Sequence, residues 1–120
     1  MNDKKWGIGL SFALNGLKTI IFSERNFKIH LFATLVVIIL SAYFQLTRLE
    51  WAIILIVIAF VLISEIINSV IESLIDYVKP EIHPQAKIIK DMMAGAVLLT
   101  AILSLIIGIL IFAPKIISLF

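Results

Sequence analysis

The sequence contains no cysteine, which excludes a disulfide framework and a thiolate metal site. Charge is scarce as well: 15% of the residues are Asp, Glu, Lys or Arg, where soluble domains carry about 25%. Five glycines make neither a phosphate loop nor a dinucleotide fingerprint. The two histidines, His30 and His83, lack metal-ligand spacing, and a formal charge of +2 is too small to suggest a nucleic-acid partner. No internal repeat, low-complexity tract or second domain is visible. What abounds is apolar: 62% hydrophobic residues and a mean hydropathy of +1.14 make a soluble globular domain untenable. A chain of 120 residues allows one domain, 1–120, of about three membrane helices.

Apolar runs locate the spans. Met92 to Ala113 is uncharged for 22 residues and is followed by Pro114 and Lys115. At about 1.5 Å per residue it crosses a hydrocarbon core roughly 30 Å thick. Ile29 to Leu46 is a second, 18 residues with His30 at one end and Gln45 at the other. Between them a third begins at Trp51 but meets Glu65 after 14 residues. To reach the required length of about 20 residues it must carry Glu65 and Asn68 into or near the membrane. The spans expected are 29–46, 51–71 and 92–113, with Thr47–Glu50 as a tight antiparallel connection and Trp51 and Tyr77 near opposite ends of the middle one.

Basic residues orient the bundle. Lys4, Lys5, Lys18, Arg25, Lys28, Lys79, Lys87 and Lys90 lie on one side, and only Arg48 and Lys115 on the other. Eight against two places the N-terminus in the cytoplasm and the C-terminus outside. Upstream, Trp6, Leu10, Ala13/Leu14, Leu17 and Ile20/Ile21 recur at helical spacing, with Asn15 and Lys18 off the stripe. A helix over about 5–22 lying in the cytoplasmic interface fits this pattern; a plain membrane anchor is the alternative. It does not read as a secretory signal, because Asn15 and Lys18 interrupt the apolar run.

Glu65, Asn68, Glu72 and Asp76 are spaced 3, 4 and 4 residues apart. At about 100° per residue they share roughly 80° of arc, a polar stripe that rises out of the membrane on one helix. Ionisable groups in hydrocarbon cost a few kcal/mol and usually serve a function facing a bundle interior. The bland alternative is a helix end whose acids reach headgroup water. Beyond it, Lys87, Lys90 and Asp91 share a face at the entrance to the last span, with Gly95 one turn on and Pro80 and Pro84 framing the turn. Lysines beside a membrane often serve only as orientation signals. Opposite an acidic stripe they suggest a metal–phosphate site, carboxylates for Mg²⁺ and ammonium groups for phosphate oxygens. Glu24, beside Arg25, Asn26 and Lys28, offers another carboxylate or is a solvated linker acid. His30 reads as a satisfied interfacial histidine, and His83 as loop structure or a nucleotide contact. Ala94, Ala101 and Gly108 recur every seven residues, a pattern suited to packing within the chain. Three helices are few to enclose a polar site, so oligomerisation is expected.

The segment Glu65-Ile-Ile-Asn68-Ser-Val-Ile-Glu72-Ser-Leu-Ile-Asp76 resembles the E-x-x-N-[ST]-x-x-E-x-x-x-D signature of the prokaryotic diacylglycerol kinase family. His83-Pro84 and Lys87-Ile-Ile-Lys90-Asp91-Met-Met-Ala-Gly95 follow at the proper distance. Phe12-Ala-Leu-Asn-Gly16-Leu and Ser23-Glu24-Arg25-Asn26-Phe27-Lys28-Ile-His30 precede it, and the likeness runs from about Lys5 to Pro114. The resemblance implies an all-α integral membrane protein: three transmembrane helices, an N-terminal interfacial amphipathic helix, and a homotrimer with active sites shared between subunits. It implies transfer of the γ-phosphoryl group of ATP to a lipid alcohol. By position, Glu65 resembles the general base, Asn68 the residue that orients the site, and Glu24 and Glu72 the carboxylates that hold Mg²⁺. Lys5, Phe12, Glu24, Glu72, Asp76, Glu81, His83, Lys90 and Asp91 correspond to nucleotide contacts, and Glu65 and Ala94 to the lipid site. Lys5 and Phe12 depart from the arginine and tyrosine of the enterobacterial members.

Glu24-Arg-Asn-Phe-Lys-Ile-His30, His83-Pro84 and Gly95-Ala-Val-Leu resemble the Gram-positive branch, which implies undecaprenol as acceptor and diacylglycerol as the alternative. A different class, a small oligomeric transporter with Glu65 as its ion site or a membrane scaffold, explains an intramembrane acid. It leaves Glu72, Asp76, Lys87, Lys90 and Asp91 without a task.

Overall fold

The structure is a computed structural model that describes residues 3–78 and 83–120, with side chains from Gly7 onward. Its elements are α1 (Asp3–Ser23), α2 (Arg25–Tyr43), α3 (Arg48–Val78) and α4 (Pro84–Ile117). Helices α2, α3 and α4 are each long and apolar enough to cross a membrane, while α1 is shorter and apolar from Gly7 to Ser23. The fold is all-helical, as the hydropathy pattern predicts.

Helix α3 is central. It packs along α4 and, over a shorter stretch, along α2; α1 rests on α2. Glu24 breaks the chain between α1 and α2 by adopting extended backbone (φ −108°, ψ 114°). Ile20 and Phe27 are buried on either side of that break. Among the described side chains of α1, Ile20 is buried and Ile21 half-buried, and the other large apolar ones are exposed, Phe12 at 70% and Phe22 at 69% among them. No residue of α4 is fully buried within the chain. In hydrocarbon such a helix gains little from apolar contact alone, so polar and small groups must fix its register. The hydroxyls of Ser64 on α3 and Thr100 on α4 meet at 3.1 Å and do this mid-way along the pair.

Two spans begin and end elsewhere than the hydropathy edges suggest. Helix α2 stops at Tyr43, not Leu46, and α3 starts at Arg48, so the connection is 44–47 rather than Thr47–Glu50. Local chemistry explains the shift. Gln45 takes φ 53°, its N–H donates to the Ala42 carbonyl, and the Leu46 N–H donates to the Ser41 carbonyl, which together close α2 with a Schellman motif. Leu46 is buried beneath it. Thr47 and Glu50 then form a capping box: the Thr47 N–H donates to Glu50 Oε1 (3.0 Å) and the Glu50 N–H to Thr47 Oγ1 (3.2 Å). Glu50 also accepts from Lys115 Nζ at 3.2 Å, tying the end of α4 to the start of α3. Helix α4 runs through Pro114 to Ile117 instead of ending at Ala113, because a proline in the last turn forfeits only one backbone bond.

At the opposite end α3 continues seven residues past the expected limit of Ile71. Its 31 residues reach about 46 Å, longer than a hydrocarbon core of roughly 30 Å. The surplus carries Glu72 and Asp76 beyond the apolar zone.

Candidate active site

One face of α3 builds the site. Ile54, Val57, Val61, Glu65 and Ser69 are its buried residues, and the line continues through Glu72 to Asp76. Chemistry changes sharply along this line: apolar as far as Val61, ionisable from Glu65 onward. Exposure changes with it. Glu65 is 4% exposed, Asn68 and Glu72 are half-buried, and Asp76 is exposed. Burial within the chain thus falls from Glu65 outward along the stripe.

Beside the apolar part of that face lies a laterally open groove of about 610 Å³. Its α2 wall runs from His30 through Thr34 to Leu40, its floor is Ile54, Val57 and Val61, and its α4 wall runs from Ala101 to Ile116. The groove hydroxyls are satisfied internally, Thr34 Oγ1 donating to the His30 carbonyl (2.8 Å) and Ser104 Oγ to the Ala101 carbonyl (2.8 Å). Small residues open it. A Cβ added at Gly108 would meet nothing within 4 Å, so this glycine does not serve close packing within the chain, contrary to what its seven-residue spacing from Ala101 suggests. Gly95 likewise has open space beside it, and Ala94 is exposed.

At the head of the groove His30 Nε2 stands 3.0 Å from Glu65 Oε1. Toward the polar end, Lys90 Nζ bonds Asp76 Oδ1 at 2.7 Å, bridging α4 to α3, and Lys87 Nζ bonds Asp91 Oδ2 at 2.6 Å. Opposed acidic and basic surfaces are thus in place. Asn68 Oδ1 is buried without a hydrogen-bond partner. Glu24 is half-buried at the N-cap of α2, and its side chain makes no capping bond. His83 caps α4, its Nδ1 accepting from the Gln85 N–H at 3.1 Å, so loop structure accounts for one ring nitrogen. Phe12 is exposed on α1. The Lys5 side chain and Glu81 lie outside the described residues. Among the described residues no three His, Asp or Glu side chains converge as a metal cluster.

A profile of the family described as prokaryotic diacylglycerol kinase matches residues 11–112, a segment holding every sequence-predicted site residue except Lys5. The chain belongs to the prokaryotic diacylglycerol kinase family. The undecaprenol kinase of Bacillus subtilis (strain 168) is 42% identical to the kinase over 93 residues, 78% of this chain and 76% of that protein. A diacylglycerol kinase of Synechocystis sp. is 34% identical over 113 residues, 93% of this chain and 65% of that protein. The kinase is therefore a lipid kinase with membrane-spanning character, and the transporter and scaffold readings fall away.

The pairing of His30 with Glu65 is what hydropathy reasoning missed in the kinase. The signal was present: His30 precedes the α2–α3 turn by about fourteen residues and Glu65 follows it by about seventeen. In an antiparallel hairpin those distances bring the two to similar depth.

Proposed function

We propose that the kinase transfers the γ-phosphoryl group of ATP to the hydroxyl of undecaprenol, giving undecaprenyl phosphate and ADP. The observation that carries this reading is the change from apolar to ionisable chemistry at Glu65, on the face of α3 that floors a laterally open apolar groove. A hydrocarbon chain in the groove brings its terminal hydroxyl to Glu65 from the apolar side. Phosphate groups reach Glu72, Asp76 and Lys90 from the other. Glu65 takes the hydroxyl proton as the oxygen bonds to the γ-phosphorus and the bond from that phosphorus to the β-bridging oxygen breaks. Asn68, one turn along, orients the reacting groups. Phosphoryl transfer depends mainly on such positioning and on charge neutralisation.

Mg²⁺ fits the residues present. It takes oxygen donors, keeps several waters, and needs only one or two carboxylates beside substrate phosphates. Glu72 and Glu24 are half-buried carboxylates, and the unpartnered Oδ1 of Asn68 lies on the same stripe as Glu72. Glu24 and Glu72 would hold the ion, which when bound neutralises phosphate charge. Lys90, Asp91, His83 and Glu81 then serve the nucleotide, with Lys5 and Phe12 approaching from α1, and Ala94 lies beside the lipid.

Undecaprenol is favoured over diacylglycerol by the higher identity to the undecaprenol kinase. The whole chain, 1–120, is one membrane-embedded kinase domain, with the polar end and N-terminus in the bacterial cytoplasm and the C-terminus outside. The exposed faces of α1 and α4, and the open space at Gly95, suit assembly as a homotrimer with shared sites.

The test is labelled-phosphate transfer in mixed micelles by the unmodified protein, Glu65→Gln and Glu72→Gln. Glu65→Gln is expected to abolish turnover while the oligomer stays assembled, and Glu72→Gln to raise the magnesium requirement. Retained activity in the first, or an unchanged magnesium dependence in the second, would remove the role assigned.

A further inference from the structure

Resting on that reading and going beyond it, we propose that His30 is a positioning and specificity-determining residue. It fixes one carboxylate oxygen of Glu65 and closes the head of the groove, so that the other oxygen meets a hydroxyl carried at the end of a single hydrocarbon chain. Three observations converge on this ring. Its Nε2 lies 3.0 Å from Glu65 Oε1. Glu65 is nearly enclosed, with 6% of its side chain exposed against 28% for His30. And among the described residues His30 is the one ionisable side chain on the groove wall, where Ala33, Thr34 and Val37 follow it along α2.

A glutamate turns about three side-chain bonds, and a base is effective only when held within hydrogen-bond reach of its proton. The imidazole nitrogen held 3.0 Å from Oε1 restricts that freedom and leaves Oε2 for the acceptor. The ring's second edge is steric. A primary alcohol ending a polyprenyl chain is no wider than the chain behind it, whereas a diacylglycerol hydroxyl sits on a three-carbon unit bearing two esters. An imidazole across the groove head therefore admits the first more readily than the second. Replacing it with a methyl group both frees Glu65 and widens the entrance.

The experiment measures kcat and KM in mixed micelles for undecaprenol and for dioleoylglycerol, with the unmodified protein, His30→Ala and His30→Gln. His30→Ala is expected to lower kcat for undecaprenol about thirtyfold, the loss of a hydrogen bond to a charged group. Its KM for ATP should stay within about twofold, since the donor acts on the acceptor side. The ratio of kcat/KM for dioleoylglycerol to that for undecaprenol should rise about tenfold. His30→Gln, which keeps an N–H donor on a side chain of similar reach, should recover most of kcat. An unchanged kcat and acceptor ratio in His30→Ala would overturn the proposal. So would a loss that extends equally to the KM for ATP and is not repaired by glutamine, since that marks a purely structural role. Transfer to neither lipid by the unmodified protein is a separate outcome; it overturns the functional reading and this inference with it.

Discussion

Replacing His30 by leucine while Glu65 remains is expected to destabilise the folded protein by about 3 kcal/mol. Glu65 is 4% exposed, and Nε2 of His30 is the partner that occupies its Oε1. A hydrogen bond to a charged group contributes about 1.5–3 kcal/mol, and stranding a buried charge adds its desolvation, giving about 3–5 kcal/mol when a buried pair loses one member. The lower end applies here because His30, at 28% side-chain exposure, already admits some solvent to the pair. Replacing both residues by leucine removes the stranded charge along with its partner. The double variant should therefore lie within about 1 kcal/mol of the unmodified protein, although inactive. Glu65→Leu alone should cost about 1 kcal/mol, because the remaining imidazole, at 28% side-chain exposure, keeps contact with solvent. Reversible unfolding in mixed micelles, followed by circular dichroism during titration with a denaturing detergent, gives the four stabilities of this cycle. Equal stability of His30→Leu and the double variant would show instead that Glu65 is stabilised without its partner.

Lys90→Met should raise the KM for ATP about tenfold through loss of a charge-assisted contact, read in the transfer assay at saturating acceptor. No change would assign Lys90 only to its bridge with Asp76. Gly108→Leu has open space for the new side chain and should assemble normally. By narrowing the groove it should raise the KM for undecaprenol about tenfold with the KM for ATP unchanged. Gln45→Gly relieves a left-handed residue in the α2–α3 turn and should stabilise the protein by about 1 kcal/mol. Thr47→Ala breaks the neighbouring capping box and should destabilise it by about the same amount, both measured as shifts in thermal unfolding.

Much of this architecture was legible because membrane helices announce themselves by apolar length. The polar stripe was legible for the same reason in reverse: Glu65 and Asn68 interrupt an apolar run at helical spacing, and their depth order follows from the rise per residue. What hydropathy misplaced were the ends. Thr47 and Glu50 set the start of α3 through reciprocal side-chain bonds, Gln45 ends α2 through its backbone conformation, and Pro114 is tolerated in a last turn; none of these alters mean hydropathy. Contacts between helices were harder still. The bridge from Lys90 to Asp76 was approached through charge complementarity, yet the pairing of His30 with Glu65 depends on the length of the α2–α3 turn. The groove escaped sequence reasoning because the space beside Gly108 depends on how far α2 and α4 diverge, a property of packing and not of either helix alone.

Competition distinguishes the two acceptors directly: labelled ATP, magnesium, and undecaprenol and dioleoylglycerol together in one mixed-micelle assay, with both phosphorylated products resolved. Label is expected to accumulate mainly in undecaprenyl phosphate, and Glu65→Gln to abolish both products. Preferential labelling of phosphatidic acid would contradict the acceptor assignment, and turnover persisting in Glu65→Gln would contradict the role of the groove head as the place of proton removal.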